Sequence, residues 1–170
     1  MEDNFNYEET NIQKRPTFLK VLCILTFINV GFGVLGLLIG VMSGKASATE
    51  LEQSAAAITQ MANEIRSNGN ASLANMLEQV NDMAFFANEN HWMAMGLSAL
   101  AISAGFLGAI WMYNGKKSGF HSYIIYNIIA VFGVYIYIPS DSIPVFSIVF
   151  NGILSLIFIF MYSRNLHWMK

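Results

Sequence analysis

Four apolar stretches, 18–42, 92–113, 122–138 and 145–162, contain no Asp, Glu, Lys or Arg apart from Lys20 near the start of the first. At about 1.5 Å of helical rise per residue, each reaches or nearly reaches across a hydrocarbon core about 30 Å thick, the third being the shortest. With 55% of its residues hydrophobic and only 12% charged, the chain cannot hide that surface in one small water-soluble core. Lipid has to cover it. The expected fold is all-α: an integral membrane, antiparallel four-helix bundle carrying an extracytoplasmic helical hairpin between spans one and two.

Charge sets the expected threading. Lys14, Arg15 and Lys20 surround the start of span one, Lys116 and Lys117 lie between spans two and three, and Arg164 and Lys170 follow span four. Against these seven, the opposite side has two basic residues, Lys45 and Arg66. A positive-inside bias of that size puts both termini in the cytoplasm. The layout read from the sequence is then a cytoplasmic tail over 1–17, spans at 18–42 and 92–113, and a 43–91 hairpin outside. A cytoplasmic turn over 114–121 leads into span 122–138, an outer turn over 139–144, span 145–162 and a cytoplasmic tail over 163–170. Residues 1–13 are polar and acidic without apolar periodicity, which reads as an unstructured tail. The first span has an apolar run beyond the 7–15 residues of a signal h-region, so it reads as an uncleaved helix despite the small-residue run Ala46-Ser47-Ala48.

The 43–91 segment carries two apolar series. Leu51, Ala55, Ile58, Ala62 and Ile65 make the first, and Leu73, Leu77, Val80, Ala84 and Ala87 the second. Their alternating spacing of four and three is the heptad pattern of helices sharing a narrow seam. Ser67-Asn68-Gly69-Asn70 separates the halves as a turn. Ser47 with Glu50 forms one capping box, Thr49 with Glu52 another possible register. The expectation is a hairpin with arms of roughly 17 residues, about 25 Å long. Met61, Met76, Met83, Phe85 and Phe86 lie partly off the seam; they complete its core, rest on the membrane, or form a patch for a protein partner at 49–88.

Within the spans, Gly36, Gly40 and Gly44 recur every four residues, as do Ala101, Gly105 and Ala109 in span two. Small residues at that spacing let helix backbones approach closely. Two readings stand: spans one and two dock within one molecule, or the stripe is a seam between copies in a homo-oligomer. The intramembrane polar residues are Asn29, Asn127 and Asn151, with several Ser and Thr, and Asn127 is counted one to two turns nearer the basic end. Amides in hydrocarbon need partners, so they either hydrogen-bond across helices or line a polar pocket for a small ligand.

Reactive groups are sparse. The spans lack ionisable side chains in their interiors, which speaks against an ion-coupled transporter acting alone. No GxxxxGK[ST], GxSxG, HExxH or CxxC motif is present. No Cys or carboxylate stands at ligand spacing around His91, His121 or His167, so neither a metal nor a cofactor is expected. The single cysteine, Cys23, excludes an intrachain disulfide and reads as a small apolar residue within span one. A net charge of −2 gives no reason to expect nucleic acid.

The run KRPTFLKVLCILTFI, residues 14–28, resembles the start of uncharacterised small four-helix integral membrane proteins of Bacteroidota-type bacteria. The resemblance implies a multi-pass protein of a bacterial inner membrane and no activity. Claudins share the layout of a large first outer loop, but their cysteine pair is missing here; tetraspanins put the large loop between spans three and four. The expected function is that of a non-catalytic interaction or assembly subunit using the outer hairpin. The alternative is a component of an oligomeric pore or transporter.

Overall fold

A computed structural model of the chain describes residues 15–170. Most of the expected 1–17 tail therefore lies outside the described residues. Among these the fold is entirely helical: α1 (Thr17–Ser43), α2 (Ala48–Ser67), α3 (Ala71–Glu89), α4 (His91–Tyr113), α5 (Ser118–Phe132) and α6 (Val145–Ser163). Two short 3-10 turns, Gly133–Ile136 and Ser140–Ser142, lie between α5 and α6. Four helices are long and apolar enough to cross a membrane: α1, α4, α5 with its 3-10 extension, and α6.

Pro16 stands just before α1, where its missing N–H takes nothing from the helix ladder, and its carbonyl accepts from Lys20 N–H at 3.2 Å. The helix stops at Gly44, whose φ of 68° lies in the left-handed region that glycine enters without steric cost. Helix α2 opens on Ser47. Its hydroxyl accepts from Glu50 N–H at 3.3 Å while the Glu50 carboxylate accepts from Ser47 N–H at 2.8 Å, so the first of the two capping-box registers is the one formed. Those bonds hold the Glu50 carboxyl below its ordinary pKa. Only Asn90 separates α3 from α4.

Helix α5 begins four residues earlier than the expected span, at Ser118. Lys117 and Ser118 carry no signal that would stop a helix, so the 114–121 turn shrinks to a tight bend. At its far end α5 tightens into the 3-10 turn Gly133–Ile136 ahead of Pro139, which disfavours helical geometry in the residue before it. Fifteen α-helical and four 3-10 residues together cover about 30 Å, which meets the thickness a bilayer demands.

The tightest pairing is between α4 and α5. A methyl added at Gly119 would stand 2.5 Å from Met112 N and 2.6 Å from Gly108 O, so the two backbones nearly touch. Ser122 seals the pair by donating to Ala104 O at 2.8 Å. Helix α1 lies against α4 through Gly33 on Ile102 and Gly40 on Met95. Helix α6 is the outlier, with Tyr162 its single buried side chain.

The main core gathers at one end. Leu19, Leu22, Cys23, Met112, Tyr123 and Tyr162 are joined there by Met169 from the C-terminal segment. Residues 163–170 are thus not a loose tail. Lys117 N–H donates to Lys170 O at 2.9 Å, Lys170 N–H donates to Gly115 O at 2.7 Å, and Trp168 covers Gly115. The Arg15 guanidinium stacks on the Tyr113 ring, 3.7 Å from its centre, at the same end. At the other end Asn88 bonds both the N–H and the carbonyl of Ala46, Lys45 donates to Glu89 O at 2.7 Å, and Gln79 donates to Asp141 O at 3.0 Å. The α2–α3 hairpin therefore leans on the 139–144 turn instead of standing free.

Candidate functional site

The concave polar feature of the molecule is a cleft of about 350 Å3 bounded by α1, α5 and α6. It lies deep in the helices. At about 1.5 Å per residue, Asn29 is about 18 Å from the start of α1, Asn127 about 14 Å from the start of α5 and Asn151 about 18 Å from the end of α6. All three asparagines line it. Asn127 thus lies about 4 Å nearer the basic end than the other two, the same direction as its sequence position implied, with the early start of α5 holding the offset to under one helical turn.

The bonding of the amides differs from simple cross-helix pairing. Asn29 Nδ2 crosses from α1 to α5 and donates to Tyr126 Oη at 2.7 Å. Asn127 Nδ2 instead turns back to Tyr123 O on its own helix, and Asn151 Nδ2 turns back to Ser147 O, both at 2.7 Å. Beneath them Thr26 Oγ1 and Tyr162 Oη share a hydrogen bond of 2.8 Å, and the Tyr162 ring lies 4.7 Å from that of Tyr123. The floor is buried, with Asn127 only 6% exposed, while Asn29 and Asn151 stand at the open side. Among the described residues, no Asp, Glu, Lys, Arg or His lines the cleft.

The small-residue positions scatter. A carbon added at Gly36 meets nothing within 4 Å, and Gly44 lies beyond the helix. Gly40 alone of that series is tightly covered, with Met95 Sδ 2.7 Å from an added carbon. On α4, Ala101 borders a second, apolar hollow with Gly33 and Gly36, Gly105 carries the Tyr126 ring, and the Ala109 carbonyl accepts from Cys23 Sγ at 3.8 Å. Gly119 is the close-approach residue that sequence reasoning missed, because it fell in a stretch read as a turn. The signal was there in Gly119 and Ser122, small residues three apart facing the Ala104–Gly108 surface.

No protein-family model, curated protein or solved structure matches this chain.

The hairpin offers a second surface. Ala62 and Ala74 are fully buried where α2 meets α3, and Arg66 bridges to Glu78 at 3.0 Å and to Asn75 at 3.1 Å. That pairing turns α3 so that Ala74, not Leu73, occupies the seam. Leu73 and Val80 are left 43% and 48% exposed, with Ala84 exposed in line with them. At 100° per residue these three share one narrow face of α3, between the side packed on α2 and the side resting on the 139–144 turn.

Proposed function

We propose that α1, α4, α5 and α6 cross a bacterial inner membrane as an antiparallel bundle with both termini cytoplasmic, and that the protein is a non-catalytic interaction or assembly subunit whose outer hairpin holds a protein partner. The threading is supported by charge. Arg15, Lys20, Lys116, Lys117, Arg164 and Lys170 belong to the end where the C-terminal segment docks, whereas the hairpin carries Glu50, Glu52, Glu64, Glu78, Asp82 and Glu89. The apolar residues exposed on α1 and α6, among them Phe32, Leu35, Phe146 and Phe160, are what lipid-facing helices present.

One observation carries the interaction reading: the apolar strip Leu73–Val80–Ala84 on a helix whose other exposed residues include the polar Asn75, Asp82 and Glu89 and the apolar Phe85. Leu73 and Val80 are about half exposed, so a partner covering them would recover roughly half of the 1.5–3 kcal/mol that full burial of each such side chain contributes. The test is a photoreactive residue at Ala84, activated in intact cells. A discrete adduct, absent in a Leu73→Glu/Val80→Glu variant that still inserts, is the expected result. An adduct pattern unchanged by the double substitution, or no adduct, would falsify the reading.

A further inference from the structure

The geometry points to the cleft between α1, α5 and α6 as a binding site for a neutral lipid that carries a free hydroxyl, with the amide oxygens of Asn29, Asn127 and Asn151 accepting its hydrogen. The inference rests on the membrane placement proposed above and is independent of what the hairpin binds.

Each of the three amide nitrogens is occupied by a protein acceptor, but among the described residues no donor reaches any of the three amide oxygens. Tyr126 Oη accepts from Asn29 and keeps its own hydrogen to give. The unfilled capacity is therefore three amide acceptors and the hydroxyls of Tyr126, Tyr123 and Ser155 around a single cavity. A hydroxyl group, which both donates and accepts, matches it. A ligand offering only carbonyl oxygens would leave the amide oxygens unmet.

Hydrocarbon makes that unfilled capacity matter. Water satisfies an exposed amide at a protein surface, whereas at mid-bilayer an unmet amide oxygen is costly. The basic-end side of the cleft is closed by the Thr26–Tyr162 hydrogen bond and the Tyr123 ring. Its flanks are Leu25 of α1 and Leu154 of α6, both well exposed and both on the side that faces lipid in a bilayer. A molecule dissolved in the bilayer thus has a route in with its acyl chains left outside.

Charge narrows the class further. With no cation among the described residues that line the cleft, a phosphate would be buried without a counter-charge from the protein, which disfavours phospholipid headgroups, the anionic ones most. The volume, about 350 Å3, lies at the small end of ligand sites and suits a headgroup, not a whole lipid. A helix from a second copy would cover the mouth, but a cylinder about 10 Å across cannot follow the cleft down to Asn127.

The probe is a photoactivatable diacylglycerol incorporated into nanodiscs holding the full-length protein. Saturable labelling of α1 and α6 beside the cleft is expected. It should be competed by 1,2-dioleoylglycerol but not by trioleoylglycerol, which has no hydroxyl, nor by dioleoylphosphatidic acid, which is charged. Asn151→Leu removes one acceptor from a helix surface that bonds only its own Ser147, so the bundle should survive it. Labelling at limiting probe should fall about tenfold, the loss of one hydrogen bond in an apolar setting. Equal competition by trioleoylglycerol, labelling spread evenly over all lipid-facing helices, an unaltered Asn151→Leu variant, or cross-links joining α6 of two copies would each overturn the assignment. Release of the protein by carbonate extraction would instead refute the membrane placement, so the two failures are distinguishable.

Discussion

At Gly119 and Gly108 the backbones of α4 and α5 come so close that an added carbon at Gly119 meets main-chain atoms, which cannot rotate out of the way as a side chain can. Gly119→Ala should therefore force the two helices apart and cost about 1–3 kcal/mol, the range for overpacking a filled interior. Gly36→Ala supplies the contrast. Its new methyl enters open space within a helix, and replacing a helical glycine removes backbone freedom from the unfolded chain, so stability should rise by roughly 0.5–1 kcal/mol. Thermal unfolding of both variants in one detergent checks the pair; a similar loss in each would mean that the glycines of α1 and α4–α5 act alike after all. The lesson about legibility is local. A four-residue repeat of glycine is visible in any sequence, but which repeat touches a backbone depends on helix ends. Gly44 dropped out because α1 stops there, and Gly119 counted because α5 starts early.

Among the helices, α6 is held differently from the rest. Its one fully buried anchor is Tyr162, between Cys23, Tyr123 and the Thr26 hydroxyl, with Phe158, Ile159 and Met161 partly buried beside it, while Val149, Ile153, Leu156 and Phe160 remain exposed. Tyr162→Phe keeps the ring and loses the bond to Thr26, a change worth about 1 kcal/mol; Tyr162→Ala also empties the core and should cost about 3–5 kcal/mol. Proteolysis and hydrogen exchange on the protein in detergent should locate the loss in α6 and in residues 163–170, which dock beside it, before α4 or α5 is affected. A uniform loss of protection across all helices would contradict this graded attachment. The hairpin repeats the point about what a periodic pattern can say. Heptad spacing put Leu73 and Val80 in a seam with α2, yet Arg66 reaching Asn75 and Glu78 on one side and Gln79 reaching Asp141 on the other fix a different rotation of α3. Spacing defines a stripe, and the partners of its polar neighbours decide whether that stripe turns inward.

For the molecule as a whole, the four long helices were legible because apolar runs of that length need no tertiary information to be read. The fold-back of residues 163–170 was not, since Leu166, Trp168 and Met169 are three apolar residues in a short polar segment and their docking site exists only once α4 and α5 are paired. The cleft was half legible: the three asparagines stood out as polar residues in apolar runs that could line one pocket, but that only Asn29 bonds across helices while Asn127 and Asn151 turn back on their own carbonyls was not in the pattern. Threading is the global property that the charge distribution argues most directly, and the lone cysteine makes it testable. Cys23 is buried and donates to the Ala109 carbonyl, so Cys23→Ser keeps a donor there and gives a background without reactive thiols. Ser67→Cys then reports the tip of the hairpin and His167→Cys the docked C-terminal segment, both at exposed positions. In intact cells an impermeant maleimide should label the hairpin-tip thiol readily and the C-terminal thiol only after permeabilisation. The reverse pattern would turn the bundle over and place the hairpin in the cytoplasm. Labelling of both sites in sealed cells would contradict three crossings by α4, α5 and α6, since an odd number of spans must put the hairpin tip and the C-terminal segment on opposite sides.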